Sequence, residues 1–276
     1  MAVTIEDIKK LRDRTCCGVS DCKKALVEAD GDFEKAVDIL RKKGLKVAAS
    51  RSGMTTSEGV AISAVNDEKN FGAVILLACE TDFVSGNAMF VDVAKKIVKI
   101  AADNKIRSLD EIKNAKCENL SVSELIVDLM SKVTENISLA GFDCLESAVV
   151  CDYTHFNKKI AVLVGLDNVA ECEKINTVGK NLAMQIAAYN PVAVCRERVS
   201  KDIIDRETEV AKEQACDAKN EDIAQKMVKG KLEKFFKENV LLEQPSMLDE
   251  KIQVKTYIER INGNIIVKDF KRMAVS

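Results

Sequence analysis

The chain states one pattern twice. Asn136-Ile137-Ser138-Leu139-Ala140-Gly141-Phe142 and Asn264-Ile265-Ile266-Val267-Lys268-Asp269-Phe270 share the form N-I-x-[LV]-x-x-F. Ten, seven, six and three positions before each asparagine stand apolar residues: Ile126, Leu129, Met130 and Val133, then Val254, Tyr257, Ile258 and Ile261. That spacing is one face of a helix, so each copy predicts an amphipathic helix running into a strand. Upstream of each lies a hairpin pattern. The first has strands over 60–65 and 71–79 around the polar turn 66–70; the second has 145–153 and 160–165 around 154–158. Apolar helices over 88–102 and 174–189 follow, the latter stopped by Asn190-Pro191, because a proline pushes the residue before it out of the helical region. The order hairpin, helix, helix, strand, met twice, predicts an α+β core of two subdomains, 59–143 and 144–276. Each is a three-stranded antiparallel sheet with helices on one face.

Residues 1–45 predict a small helical unit ahead of this core. Thr4 caps a helix whose inner face is Ile5, Ile8 and Leu11; Gly18 interrupts it, and Cys22, Ala25 and Leu26 resume it. Asp30-Gly31-Asp32 is a turn with a capping aspartate, and Phe33, Ala36, Val37 and Leu40 line a third helix that Gly44 is expected to end. Three short helices of this kind resemble a ubiquitin-associated-type docking module. The segment 46–58, with Ser50-Arg51-Ser52-Gly53 and no apolar periodicity, reads as a tether. In the second subdomain, 197–238 is an insertion of two charged helical stretches separated by the polar residues 217–220. Ile203, Val210, Ile223 and Met227 supply a thin apolar stripe, suited to a projecting helical hairpin or coiled-coil arm.

Between the first hairpin and its helix stands Cys79-Glu80-Thr81-Asp82-Phe83-Val84. Spacing alone favours a plain reading, in which Thr81 or Asp82 caps the following helix and Phe83 is a core residue beside the cap. The alternative is that Asp82 and Phe83 are presented outward as a probe into another protein.

Composition removes several classes of function. Net charge is −2 with 42 basic residues, a balance that offers no basic face for a phosphate backbone. No basic n-region precedes an apolar run and no stretch of about 18 apolar residues occurs. A cytoplasmic protein with neither a membrane span nor a direct nucleic-acid partner is expected. The ten cysteines include no C-x-x-C pair and the only histidine is His155, so no metal site and no cofactor are expected. Cys16, Cys17 and Cys22 cluster near the N-terminus; helix-packing thiols are the expected account. Neither G-x-x-x-x-G-K-[ST] nor G-x-G-x-x-G occurs, and one histidine serves no triad. The chain is not expected to be an enzyme.

Several stretches carry a family resemblance. Leu11-Arg12-Asp13-Arg14-Thr15 with Gly18-Val19-Ser20-Asp21-Cys22-Lys23-Lys24-Ala25-Leu26 resembles the opening of the bacterial translation elongation factor Ts family. Cys79-Glu80-Thr81-Asp82-Phe83-Val84 is similar to that family's signature, and 223–230 and Leu242-Glu243-Gln244-Pro245 to its later motifs. The resemblance spans essentially the whole chain. It implies a guanine-nucleotide exchange factor for the GTPase elongation factor Tu, with the Asp-Phe pair entering the GTPase domain near its magnesium site. On that implication Thr81, Asp82, Phe83 and Val84 are the primary partner-binding residues. His155, Arg12, Gly18 and Val19 are secondary ones, and the helical unit docks the GTPase rather than ubiquitin. Pairing of two copies through the arm is a further option. Two departures stand out: Cys16-Cys17 where the family has small residues, and Ser138-Leu139-Ala140-Gly141 where members often carry arginines. The rival reading is a holding factor, which stabilises the same GTPase without speeding nucleotide release.

Overall fold

A computed structural model describes residues 3–275 except 16, 52, 119, 170–173 and 216–220, and only the backbone of 47–49. Cys16 and the expected turn 217–220 lie outside the described residues. The first three helices are α1 (Ile5–Thr15), α2 (Val19–Glu28) and α3 (Phe33–Arg51). The Asp7 N–H donates to Thr4 Oγ1 at 3.1 Å, and the Lys35 N–H to Asp32 Oδ1 at 3.1 Å, so both expected caps form. Leu11, Cys22, Ala25, Leu26, Ala36 and Leu40 make the small core between these helices.

Gly44 does not end α3. The helix passes through it to Arg51, so residues 46–51 of the expected tether are its last turns. A Cβ at Gly44 would lie 2.9 Å from Ser131 Cβ on α7 (Val122–Val133). The glycine is there to let two helices approach, a need that local sequence does not display. Arg41 pairs with Glu124 of α7 at 3.1 Å across the same contact.

The first subdomain contains β1 (Glu58–Val65), β2 (Phe71–Cys79), the single turn α4 (Asp82–Ser85), α5 (Ala88–Asp103) and α6 (Leu109–Asn114). The short pair β3 (Lys116–Cys117) and β4 (Leu120–Ser121), then α7 and β5 (Ile137–Glu146), complete it. The second contains β6 (Val149–Thr154), β7 (Ile160–Asp167) and α8 (Ile175–Tyr189), whose end is Asn190 in the left-handed region at φ 44°. A 3-10 turn (Arg196–Arg198), α9 (Lys201–Glu213) and α10 (Glu221–Asn239) follow, then β8 (Pro245–Ser246), β9 (Asp249–Gln253), α11 (Val254–Asn262) and β10 (Ile266–Ala274). The sheets run β1-β2-β5 and β6-β7-β10, all antiparallel.

The repeat extends to single residues. Leu77 pairs with Leu139 and Leu76 with Gly141, which leaves Ala140 as a bulge. In the other sheet Leu166 pairs with Val267 and Gly165 with Asp269, leaving Lys268 in the matching place of its motif. The hairpin turns match as well: Lys69 and Lys158 both have positive φ, 54° and 58°. Their N–H groups reach Asn66 O and His155 O, at 3.0 and 2.8 Å.

The two sheets also pack on each other, which the expected one-faced arrangement lacks. Val74, Ala61 and Leu145 of one meet Val150, Ala161 and Leu163 of the other. The contact is reciprocal. Ala61 N–H donates to Lys158 O at 2.7 Å, and Val150 N–H to Lys69 O at 2.6 Å, so equivalent residues exchange equivalent bonds. That is the signature of a two-fold relation, here between halves of one chain. On the outer faces, Ile75, Leu77 and Cys79 meet α5 and α7, whereas Val162, Val164 and Leu166 meet α8 and α11. Central strands buried on both sides explain the unbroken apolar runs. Leu145, expected to open the second hairpin, instead lies in β5, opposite Gly72, and packs between the sheets.

Helices α9 and α10 lie side by side, Lys231 in the middle of α10 reaching Gln214 just past the end of α9, and α10 buries none of its residues. At their root the Arg196 guanidinium lies over the Phe236 ring and binds the carboxylates of Glu233 and Glu243. Of the expected stripe, Ile203 packs at this root, but Val210, Ile223 and Met227 are about two-fifths exposed rather than sealed in a seam. Buried Ala211 lies on the inner side of α9 instead.

Candidate functional site

The last residue of β2 is Cys79, and from there the chain turns away from the sheet. Glu80 is tied on two sides: Arg51 at the end of α3 donates to its carboxylate at 3.0 and 3.3 Å, and Asn136 N–H donates at 2.6 Å. Thr81 is extended, at φ −128° and ψ 157°. Its N–H and its hydroxyl both donate to the carboxylate of Glu135, at 3.1 and 2.6 Å. Asn136 Nδ2 donates to Met54 O at 2.8 Å, closing the frame from the side of α3.

This corrects the plain reading of the loop. The Thr81 hydroxyl caps nothing, because Glu135 takes it, and α5 is capped by Asn87, whose side chain accepts from Met89 N–H at 2.9 Å. Phe83 is not a core residue. It is 87 % exposed on the one-turn helix α4, whereas its neighbour Val84 is buried as the foot of that turn. Ser85 Oγ and Gly86 N–H both return to Asp82 O, at 3.1 and 2.9 Å, and hold the turn closed. Asp82 is exposed beside the ring. The Cys79 thiol beneath accepts no role as a nucleophile: burial, then the Glu135 charge, push its pKa to about 11.

Because the sheets are related two-fold, the turn of the second hairpin lies at the same end of the molecule. Lys159 Nζ binds the Glu58 carboxylate and, at 3.2 Å, Gly59 O, where β1 begins opposite Cys79. On this turn His155 Nδ1 lies 2.8 Å from Tyr153 Oη, and its ring lies against Phe156, centroids 4.5 Å apart and tilted by 57°. Phe156 is 82 % exposed. Sequence reading singled out His155 and passed over this ring. An aromatic at the tip of a two-strand turn, where polar residues are the rule, was the available signal. Glu135, Glu80 and Arg51 were also missed, since nothing local links them to Thr81.

The remaining expected contacts do not join this end. Arg12, Gly18 and Val19 are exposed on α1 and at the start of α2, in the separate helical unit. No group of His, Cys, Asp or Glu among the described residues has the arrangement of a metal site. No described helix is long and apolar enough to cross a membrane. What the site offers is an exposed carboxylate and phenyl ring on a hydrogen-bonded foot, with a second exposed ring on the hairpin turn at the same end of the sheets.

A family profile described as Elongation factor TS matches residues 80–276. Among curated proteins, the chain is 43 % identical over 276 residues to Elongation factor Ts of Amoebophilus asiaticus, covering 100 % of this chain and 99 % of that protein. It is 40 % identical to Elongation factor Ts of Christiangramia forsetii, covering 99 % and 98 %, and 37 % identical to that of Porphyromonas gingivalis, covering 100 % and 99 %.

Proposed function

The chain belongs to the elongation factor Ts family, and from that premise we propose that it is a guanine-nucleotide exchange factor for the translation GTPase elongation factor Tu. The observation that carries the reading is Phe83: a large apolar ring, 87 % exposed, on a turn whose backbone is anchored at Thr81 and Val84. Exposing such a ring while fixing its base has a use only when a partner covers it. In this reading Asp82 and Phe83 enter the GTPase near its magnesium ion and shift the segment that coordinates it. The ion is the largest counter-charge to the bound diphosphate, so its displacement loosens the nucleotide. By linkage, a factor that binds the nucleotide-free GTPase more tightly weakens nucleotide binding by the same ratio.

His155 and Phe156 form a second contact with the same partner. The helices α1 to α3, a ubiquitin-associated-type unit, dock it through Arg12, Gly18 and Val19. The α9–α10 arm serves partner contact or pairing of two copies. The protein acts in the cytoplasm and performs no bond chemistry of its own.

The test is release of a fluorescent GDP analogue from elongation factor Tu in stopped flow, with complex formation measured alongside. Acceleration by the wild-type chain is the expected result. A stable complex with an unchanged release rate would instead identify a holding factor.

A further inference from the structure

The two copies differ most informatively beneath the exposed ring. The hairpin register that sets Leu77 against Leu166 sets Glu80 against Val169, and the motif register sets Glu135 against Gly263. Both carboxylates that hold the loop therefore stand in the first copy alone, which is the copy that carries Phe83. Neither equivalent, Val169 or Gly263, has a side chain that can accept a hydrogen bond. The delivery of Glu135 is built into the backbone: Thr134 ends α7 in the left-handed region at φ 60°, its N–H bonding Met130 O at 2.8 Å. That turn throws Glu135 towards Thr81. Two donors of one residue then meet two oxygens of one carboxylate, at 3.1 and 2.6 Å, which fixes orientation as well as place.

We propose that Glu135, with Glu80, is a positioning residue for insertion of Phe83: it fixes Thr81 so that the ring is presented before the partner arrives. The proposal rests on the reading that Phe83 enters elongation factor Tu. Both carboxylates act through the loop, by the hydrogen bonds they accept within the chain. A loop already in its bound shape loses less conformational freedom on insertion, so the clamp acts on the exchange step rather than on initial docking. Arg51 places the end of α3 on Glu80, so the same clamp joins the helical unit to the loop.

The experiment is GDP-analogue release from elongation factor Tu at increasing factor concentration, using full-length wild type, Glu135→Ala, Glu135→Gln, Phe83→Ala and the Glu135→Ala/Phe83→Ala double variant. The saturating rate of Glu135→Ala is expected to fall about tenfold with magnesium present, with little change in the half-saturating concentration. Glu135→Gln keeps one acceptor and the volume, and restores the rate to within about threefold of wild type. If the alanine form fails a thermal-melt check of folding, Thr81→Val, which removes the hydroxyl that Glu135 accepts and keeps the volume, takes its place alone and combined with Phe83→Ala. It is expected to be slower than wild type and to add nothing to Phe83→Ala, and a wild-type rate or multiplying losses overturn the proposal. The double variant is expected to be no slower than Phe83→Ala, because an unplaced ring and an absent ring cost the same step. Losses that multiply in the double variant overturn the proposal, as does a folded Glu135→Ala with the wild-type rate. A Phe83→Ala variant as fast as wild type would remove the insertion reading and the positioning role with it; the other two results remove the positioning role only.

Discussion

The first and second subdomains bulge at equivalent residues, turn at equivalent lysines and exchange equivalent backbone bonds, yet they differ in the residues of their exposed turns. Where the first has Asn66 and Asp67 in its turn, the second has His155 and the exposed Phe156. In the first turn Asn66 Oδ1 accepts from the N–H groups of Asn70 and Phe71, at 3.1 Å each, and Asp67 pairs with Lys99. The first turn is thus spent on its own structure, and the second presents rings. The residues after the hairpins differ too: the first copy has Glu80 and Phe83 where the sequence of the second has Val169 and Cys172. The repeat accounts for the sheet pair, and the differences between its copies fall at the loops that form the candidate site.

The strongest way to break that comparison is to exchange helix residues that should not be interchangeable. In the register aligning Ala94–Ala102 with 179–187, Gly179 stands where the first copy has Ala94, which is fully buried. A Cβ on Gly179 would come within 2.1 Å of Cys151 Sγ. Gly179→Ala is therefore expected to destabilise the chain by about 3 kcal/mol through overpacking. Ala94→Gly should cost only about 1 kcal/mol of helix propensity. Urea denaturation of the two variants measures the asymmetry, and equal losses would mean that α5 and α8 lie equally close to their sheets.

Phe156→Ala sharpens the comparison on the functional side. It is expected to weaken association with elongation factor Tu about tenfold, by isothermal titration, with the unfolding midpoint unchanged, as befits an exposed anchor. Asp67→Ala at the equivalent place should leave association within about twofold of wild type, since a surface ion pair contributes little.

The smallest effect concerns the axis itself. Ser63 and Asp152 are equivalents that meet between the sheets, the Ser63 hydroxyl donating to Asp152 Oδ2 at 3.1 Å. Burial pushes the Asp152 carboxyl above its ordinary 3.8, and the Ser63 hydrogen bond only partly opposes it. A raised carboxyl contributes fully below the unfolded value and loses that contribution as pH rises through the folded one. Asp152→Asn, which keeps an acceptor for Ser63, is expected to be about 1 kcal/mol more stable than wild type at pH 8 and no more stable at pH 3.5. Urea denaturation at both pH values checks the sign.

Much of this was legible in the sequence because burial leaves periodic marks. The repeat appears as helical spacing before two asparagines, and the strands as apolar runs bounded by polar turns. What stayed illegible depends on residues far apart in the chain. Thr81 reads as a helix cap until Glu135, 54 residues on, is seen to accept its hydroxyl. Gly44 reads as a helix stop until Ser131 is seen against it. Leu145 reads as the start of a hairpin because an apolar residue facing a second sheet resembles one facing a helix. The exposure of Phe83 follows from no periodicity at all; the residues offer it only as the alternative to a core position, and the family resemblance favours it.

The most direct measurement is the rate of GDP-analogue release from elongation factor Tu by wild type and Phe83→Ala, each with magnesium present and with it chelated. If the ring works by dislodging the ion, Phe83→Ala is about tenfold slower than wild type with magnesium and nearly equal to it without. An equal loss in both conditions would contradict the account, because the ring would then weaken nucleotide binding by a route that does not pass through the ion.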